Sequence, residues 1–176
     1  METERLYLLP WAAGDWIEFL PIAQDPAVMR YIGEGRPWAE ERVRAYVERQ
    51  MSCYEALGFC NWKLVDKSGG SLCGFCGIQP LTVGGADEIE IGWWLKVSHW
   101  GRGLATEAAR AALRDGVERA GLPRIVAIAQ APNKASIHVM EKIGMRFERR
   151  LAHHGIEVVL YSFTNQPRRY ITHATE

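Results

Sequence analysis

The residues best placed to do chemistry lie in two short stretches of the C-terminal half. The first is Trp100-Gly101-Arg102-Gly103-Leu104-Ala105-Thr106-Glu107-Ala108, between a stretch that reads as strand and an Ala-rich one that reads as helix. Glycines in such a turn let successive backbone N–H groups point outward from the helix N-terminus, where the helix dipole adds partial positive charge. Together these make an anion site suited to a pyrophosphate, and Arg102 can add a side-chain contact. The segment is not a Walker A loop, since no Gly-Lys-Ser/Thr follows. Nor is it a dinucleotide fingerprint, since the G-x-G-x-x-G spacing is absent. A tight strand-to-helix connection would carry the same glycines, so the loop alone does not decide. The second stretch runs from Pro132 to Met145. Asn133 follows a strand end and opens a helix as an N-cap. Ser136 falls one turn later and shares that helix end.

Cys73-Gly74-Phe75-Cys76 invites a redox or zinc reading. A redox C-x-x-C opens a helix, where the helix N-terminus lowers the thiol pKa. Here the motif sits in an apolar strand-like run, Leu72 to Ile78, in which residues three apart face opposite sides. Buried, reduced thiols are the expectation. Cys53 and Cys60 make no second close pair for zinc, and no histidine pair has metal-ligand spacing, so no metal is expected. His99 and His138 read as surface residues.

Several elements must position these stretches. A short strand is expected at Leu6 to Leu9, then a helix marked by Trp16, Phe19, Leu20 and Ala23. Val43, Tyr46, Val47, Gln50, Met51, Tyr54 and Leu57 mark one face of a second helix, stopped by Gly58. Strands follow at 61–66 and 72–79, the latter ending at Pro80, with a turn at Lys67 to Gly70. The strand Ala86 to Leu95 carries Glu88, Glu90, Gly92 and Trp94 on one face. Leu104 to Ala120 reads as a helix with Ala105, Ala108, Ala112 and Gly116 spaced for close packing, terminated by Gly121 and Pro123. A strand at 124–130, a helix at 133–143 and strands at 146–153 and 156–164 complete the domain. The pattern gives a mixed α/β domain over 1–164, with a polar tail over 165–176.

In this order and spacing the segments resemble the GNAT superfamily of acetyl-CoA-dependent N-acetyltransferases. They are most similar to the RimJ/RimL-like branch of ribosomal-protein N-terminal acetyltransferases. The resemblance runs over nearly the whole chain: Thr3-Glu4-Arg5-Leu6 with Leu8 and Pro10, Asp25-Pro26 through Tyr31, Leu72 to Ile78, Glu90 to Leu95, Trp100 to Ala108, and Asn133 to Gly144. It implies one domain with a central, mostly antiparallel twisted sheet of about seven strands and helices on both faces. It implies acetyl-CoA as cosubstrate and direct transfer to a primary amine, either a protein N-terminus or a small molecule. Two positions depart from the superfamily pattern. Trp100 stands where Gln or Arg usually opens the loop. Met140 stands where many members have a Tyr that protonates the leaving thiolate.

The resemblance also assigns roles. Gly101, Arg102, Gly103, Leu104, Ala105 and Thr106 would cradle the pyrophosphate. Backbone groups of Trp94, Leu95, Lys96 and Val97 would pair with the pantetheine arm, and Asn133 would hydrogen-bond it. An amine attacks only when neutral, so a carboxylate must accept its proton. Glu90 is the candidate, and Ser136 the candidate donor to the sulfur. An aromatic wall of Tyr31, Trp38 and Trp62, beside Trp93 and Trp94, with Glu88, Asp25 or Glu34 at its rim, would suit a cationic acceptor. An aminoglycoside-type antibiotic acetyltransferase and a non-catalytic acyl-CoA-binding module are the alternatives.

Lys+Arg and Asp+Glu both number 21, so no basic excess suggests a nucleic-acid partner. No apolar run approaches bilayer length and no signal segment is visible, so a cytoplasmic monomer or homodimer is expected.

Overall fold

The computed structural model describes residues 1–165; apart from Asn165, the expected tail lies outside them. The elements are β1 (Leu6–Leu9), α1 (Trp16–Ala23), α2 (Pro26–Met29), α3 (Glu40–Leu57), β2 (Asn61–Asp66), β3 (Leu72–Val83), β4 (Ala86–Leu95), α4 (Leu104–Glu118), β5 (Arg124–Gln130), α5 (Lys134–Lys142), β6 (Arg146–His153) and β7 (Ile156–Thr164). Their sheet has the order β1-β2-β3-β4-β5-β7-β6. Neighbouring strands are antiparallel except β4 and β5, which run parallel and share a single ladder pair, Glu90 opposite Val126.

Strand alternation divides the sheet into two faces. Phe75 and Trp94 lie opposite each other, as do Gln79 and Glu90. On this face α1 and α3 supply Phe19 and Tyr46, whose rings pack on Phe75 and Trp94 at 5.4–6.4 Å between centroids. Cys76, Ile78 and Ile91 line the other face, beneath α4. Small residues let that helix sit close. Ala108, Ala109 and Ala112 are buried, and a Cβ added at Gly116 would come within 2.8 Å of Ile125 Cδ1 and 3.0 Å of Ile78 Cδ1. Gly58 ends α3 in the left-handed region, its N–H donating to Tyr54 O.

One strand is longer than its sequence suggested. β3 continues through Pro80 to Val83. The N–H of Ile78 still reaches Cys60 O, but the β2 ladder ends at Asn61 opposite Gly77. The nitrogen of Pro80 therefore points to a sheet edge that β2 no longer covers, where a missing donor costs nothing.

Candidate active site

β4 and β5 diverge beyond Glu90, and a cleft of about 560 Å³ opens between the end of β4 and the helices α2, α4 and α5. Its walls include Trp93, Trp94 and Leu95 of β4, Gly101 and Gly103 to Thr106, Tyr31, and Asn133 and Ser136 of α5. A larger groove, 750 Å³, lies between α5 and the β6–β7 hairpin. It is shallow and open, and it touches neither the glycine loop nor the β4–β5 divergence, so the narrower cleft is the candidate site.

The loop presents backbone N–H groups that have no helical acceptor. Gly101 and Gly103 have φ of 72° and 77°, which an L side chain adopts only with strain. The first bond into α4 runs from Glu107 N to Gly103 O, so the N–H groups of Leu104, Ala105 and Thr106 have no helical acceptor. Side chains behind the loop hold it. Glu107 accepts from the Arg5 backbone N–H at 2.8 Å and from Arg5 Nε at 2.7 Å, while Arg5 Nη1 donates to Arg102 O at 2.8 Å. Asp66 lies 3.2 Å from His99 Nε2 and 3.8 Å from Arg102 Nη1. Serine N–H and hydroxyl bonds from Ser68, then His99 and Arg102, hold its carboxyl below the usual carboxylate range against some desolvation. His99 is thus a half-buried structural partner and not a plain surface residue; its partner lies on a distant strand end. Trp100 is exposed, and its indole N–H donates to Leu95 O at 2.8 Å, which fixes the end of β4 to the loop. Arg102, Lys96 and Val97 do not line the cleft; Arg102 turns toward Asp66.

Asn133 caps α5. Its Oδ1 accepts from Ser136 N at 3.2 Å, which leaves its amide NH₂ as the free end. The Ser136 hydroxyl has no hydrogen-bond partner among the described residues and faces the cleft, as does exposed His138. Met140 is buried in the core, 1% exposed.

Glu90 sits where β4 and β5 last touch. It is half-buried and outside the cleft wall proper, two residues below Gly92 and four below Trp94. Desolvation pushes its carboxyl up to about 7, against a hydrogen bond from Gln79 that lowers it. Glu88, on the same face, is engaged elsewhere. Arg124 Nε donates to both its oxygens at 3.0 Å and also clamps Glu148 at 2.6 Å. The rest of the expected acidic rim does not line the cleft. Asp25 caps α2 through the Ala27 N–H, and Glu34 lies 3.6 Å from Arg36 on the surface.

The aromatic wall assembles in part. Tyr31 lines the cleft, with Arg30 over its ring at 5.1 Å. Trp38 stands behind Trp94 at 4.8 Å and is not itself in the cleft wall. Trp62 is 3% exposed and pairs across β2–β3 with Cys76, so it belongs to the α4 face of the core and not to a substrate pocket. The sequence had no means to tell it from the other tryptophans, since its face is set by the β2–β3 register. All four cysteines are free, with Cys60, Cys73 and Cys76 buried. Among the described residues no group of three His, Cys, Asp or Glu is placed to hold a metal. Likewise, no described helix is long and apolar enough to cross a membrane.

Comparison with known proteins agrees with this geometry. Residues 5–146 match the family described as acetyltransferase (GNAT) domain. An uncharacterized Bacillus subtilis protein, YkkB, is 33% identical over 137 residues, 78% of each chain. An Aspergillus fumigatus FsC-acetyl coenzyme A-N(2)-transacetylase is 28% identical over 152 residues, 82% of this chain and 64% of the fungal one. A GNAT-family acetyltransferase from Bacillus anthracis superposes with a TM-score of 0.78 at 30% identity, covering 93% of this chain and 97% of the other. The ribosomal L7/L12 α-N-protein acetyltransferase RimL, solved with coenzyme A, shares the fold at a TM-score of 0.75 and 16% identity, over 92% and 95% of the two chains. The chain therefore belongs to the GNAT acetyltransferases, enzymes that move an acetyl group from acetyl-CoA to an amine.

Proposed function

We propose that this cleft binds acetyl-CoA and acetylates a primary amine, with Glu90 as proton acceptor and Ser136 as proton donor to the sulfur. The N–H groups of Gly101 and of Gly103 to Thr106 would hold the cofactor's phosphates, and the Asn133 amide would hold the pantetheine arm. Bound acetyl-CoA supplies an acyl group activated as a thioester. The unpartnered donors at the start of α4 and the diverging β4–β5 edge suit a long anionic ligand with an amide-bearing arm.

The observation that supports the mechanism is the place of Glu90, at the single β4–β5 ladder pair with Gln79 as its hydrogen-bond donor. A carboxyl at about 7 is roughly half ionised at neutral pH, and its conjugate acid is strong enough to release the proton again. Ser136 takes the donor role that Met140 cannot fill. The acceptor enters past Tyr31, with Trp38 backing Trp94. Glu88 is held by Arg124 and neither Asp25 nor Glu34 lines the cleft, so among the described residues the cleft wall carries no carboxylate that would favour a polycationic acceptor. A peptide N-terminus or a small amine fits this wall better than an aminoglycoside.

Calorimetric titration with acetyl-CoA, followed by thiol release against a panel of amines and N-terminal peptides, tests the proposal. Tight binding with release for one acceptor class supports it. Glu90→Gln should lower turnover by about 10²-fold or more with binding intact; unchanged turnover would make Glu90 structural.

A further inference from the structure

Glu90 is the end of a chain of amides that runs through the sheet face beneath α3. The backbone N–H of Asn61, at the start of β2, donates to Gln50 Oε1 at 2.9 Å. Gln50 Nε2 donates to Gln79 Oε1 at 2.9 Å, and Gln79 Nε2 donates to Glu90 Oε2 at 3.3 Å. Gln50 and Asn61 are each 1% exposed.

The direction of this chain is not free. A backbone N–H can only donate, so Gln50 must turn its carbonyl to Asn61 and its NH₂ toward Gln79. Gln79 must then accept from Gln50 and present its own NH₂ to Glu90. The Asn61 peptide, fixed in the sheet, thereby sets which end of Gln79 the carboxyl meets. A donor favours the ionised form of its partner, and a carbonyl in its place would favour the protonated form. Among the described residues no cation is paired with Glu90. The groups about Glu90 are Tyr46 from α3, whose ring carries Arg49 at 5.4 Å, apolar Val126 from β5, and Glu88 on its own strand, which shares Arg124 with Glu148.

We propose that Gln79, oriented by Gln50 and the Asn61 backbone, is a positioning residue that holds Glu90 in its proton-accepting form. The inference rests on the reading of Glu90 as the proton acceptor.

The test uses the full chain as wild type, Glu90→Gln, Gln79→Met and Gln50→Met, each checked for a cooperative melt. The pH profile of kcat/KM is followed with one acceptor amine. In parallel the ¹³C shift of the Glu90 carboxyl is titrated, assigned by its loss in Glu90→Gln. Gln79→Met should move both midpoints upward by about one pH unit, which lowers kcat/KM about five-fold at pH 7 and leaves it unchanged near pH 9. Gln50→Met, which frees Gln79 to turn either way, should move them in the same direction by less, and it carries the test if Gln79→Met does not fold. Midpoints that coincide with wild type, with Glu90→Gln inactive, would overturn this inference and spare the role of Glu90. Full activity in Glu90→Gln would overturn both.

Discussion

Glu90→Gln should make the protein more stable above neutral pH at the same time as it removes the proposed proton acceptor. The carboxyl is raised from 4.5 to about 7 in the fold, with desolvation as the cause. The folded state therefore holds a proton that the unfolded state gives up. Its stability contribution is fully present below pH 4.5 and is lost as the pH rises through 7. The full loss is about 3 kcal/mol, from roughly 2.5 pH units at 1.36 kcal/mol each. A neutral Gln of the same shape escapes that loss and can still accept from Gln79 through its carbonyl oxygen. Urea unfolding should show the variant equal to wild type at pH 4, about 1 kcal/mol more stable at pH 5, and about 3 kcal/mol more stable at pH 8. In a chain of this length that is a rise of about 6–12 °C in Tm at pH 8. A variant less stable than wild type at pH 8, or a gain independent of pH, would refute the claim that Glu90 is held in a desolvated site.

Three further outcomes follow from the same geometry. Ala105→Glu sets a carboxylate among the unpaired N–H groups at the start of α4, so calorimetry should show coenzyme A affinity reduced by about 100-fold or more with the fold retained. Gly77→Ala would bring a Cβ to 2.0 Å from Cys60 O, a backbone atom that cannot step aside, and a denaturation midpoint should report a loss of about 3 kcal/mol or failure to fold. Burial pushes the Cys73 and Cys60 thiols up to about 11 and about 12, and Cys76 higher still. Iodoacetamide at pH 8, read by intact mass, should therefore label the native chain at Cys53 alone, without loss of acetyl transfer.

The parts of the site that are local in sequence were legible there. Gly101 and Gly103 are glycines because the turn needs positive φ before a helix, and that need is visible in the residue types alone. Asn133 and Ser136 share a helix end at fixed spacing, so their common position required no tertiary information. What could not be read is which polar group has a partner from afar. Alternation places Glu88 and Glu90 on one face and makes them look interchangeable. Arg124 and Glu148, far along the chain, decide that Glu88 is paired and Glu90 is not. Likewise Asp66, 33 residues before His99, turns a surface-looking imidazole into a half-buried tie. One signal was available and unused. Gln50 stands alone as an amide on the apolar face of its helix, and a buried amide must find partners.

The same feature that opens the proposed cofactor cleft also sets the surroundings of the proposed proton acceptor. β4 and β5 can diverge because they share one ladder pair, and Glu90 is its β4 member. The carboxyl is therefore walled by Gln79 on one side and Val126 on the other, while the cleft begins further along β4, at Trp93. Enclosure of this kind raises a carboxyl only if no cation stands close by. Arg124 stands on β5 two residues before Val126, near enough to threaten that balance. It is instead shared between Glu88 at 3.0 Å and Glu148 at 2.6 Å, and Glu148 is held at about 2 by that contact, with Ser162 adding a further bond. The two lower carboxylates neutralise the guanidinium and so leave Glu90 under desolvation, with a neutral amide as its donor. Two glutamates one pleat apart thus have opposite fates on one strand: the first is bound to neutralise a cation, and the second is left able to take a proton at neutral pH.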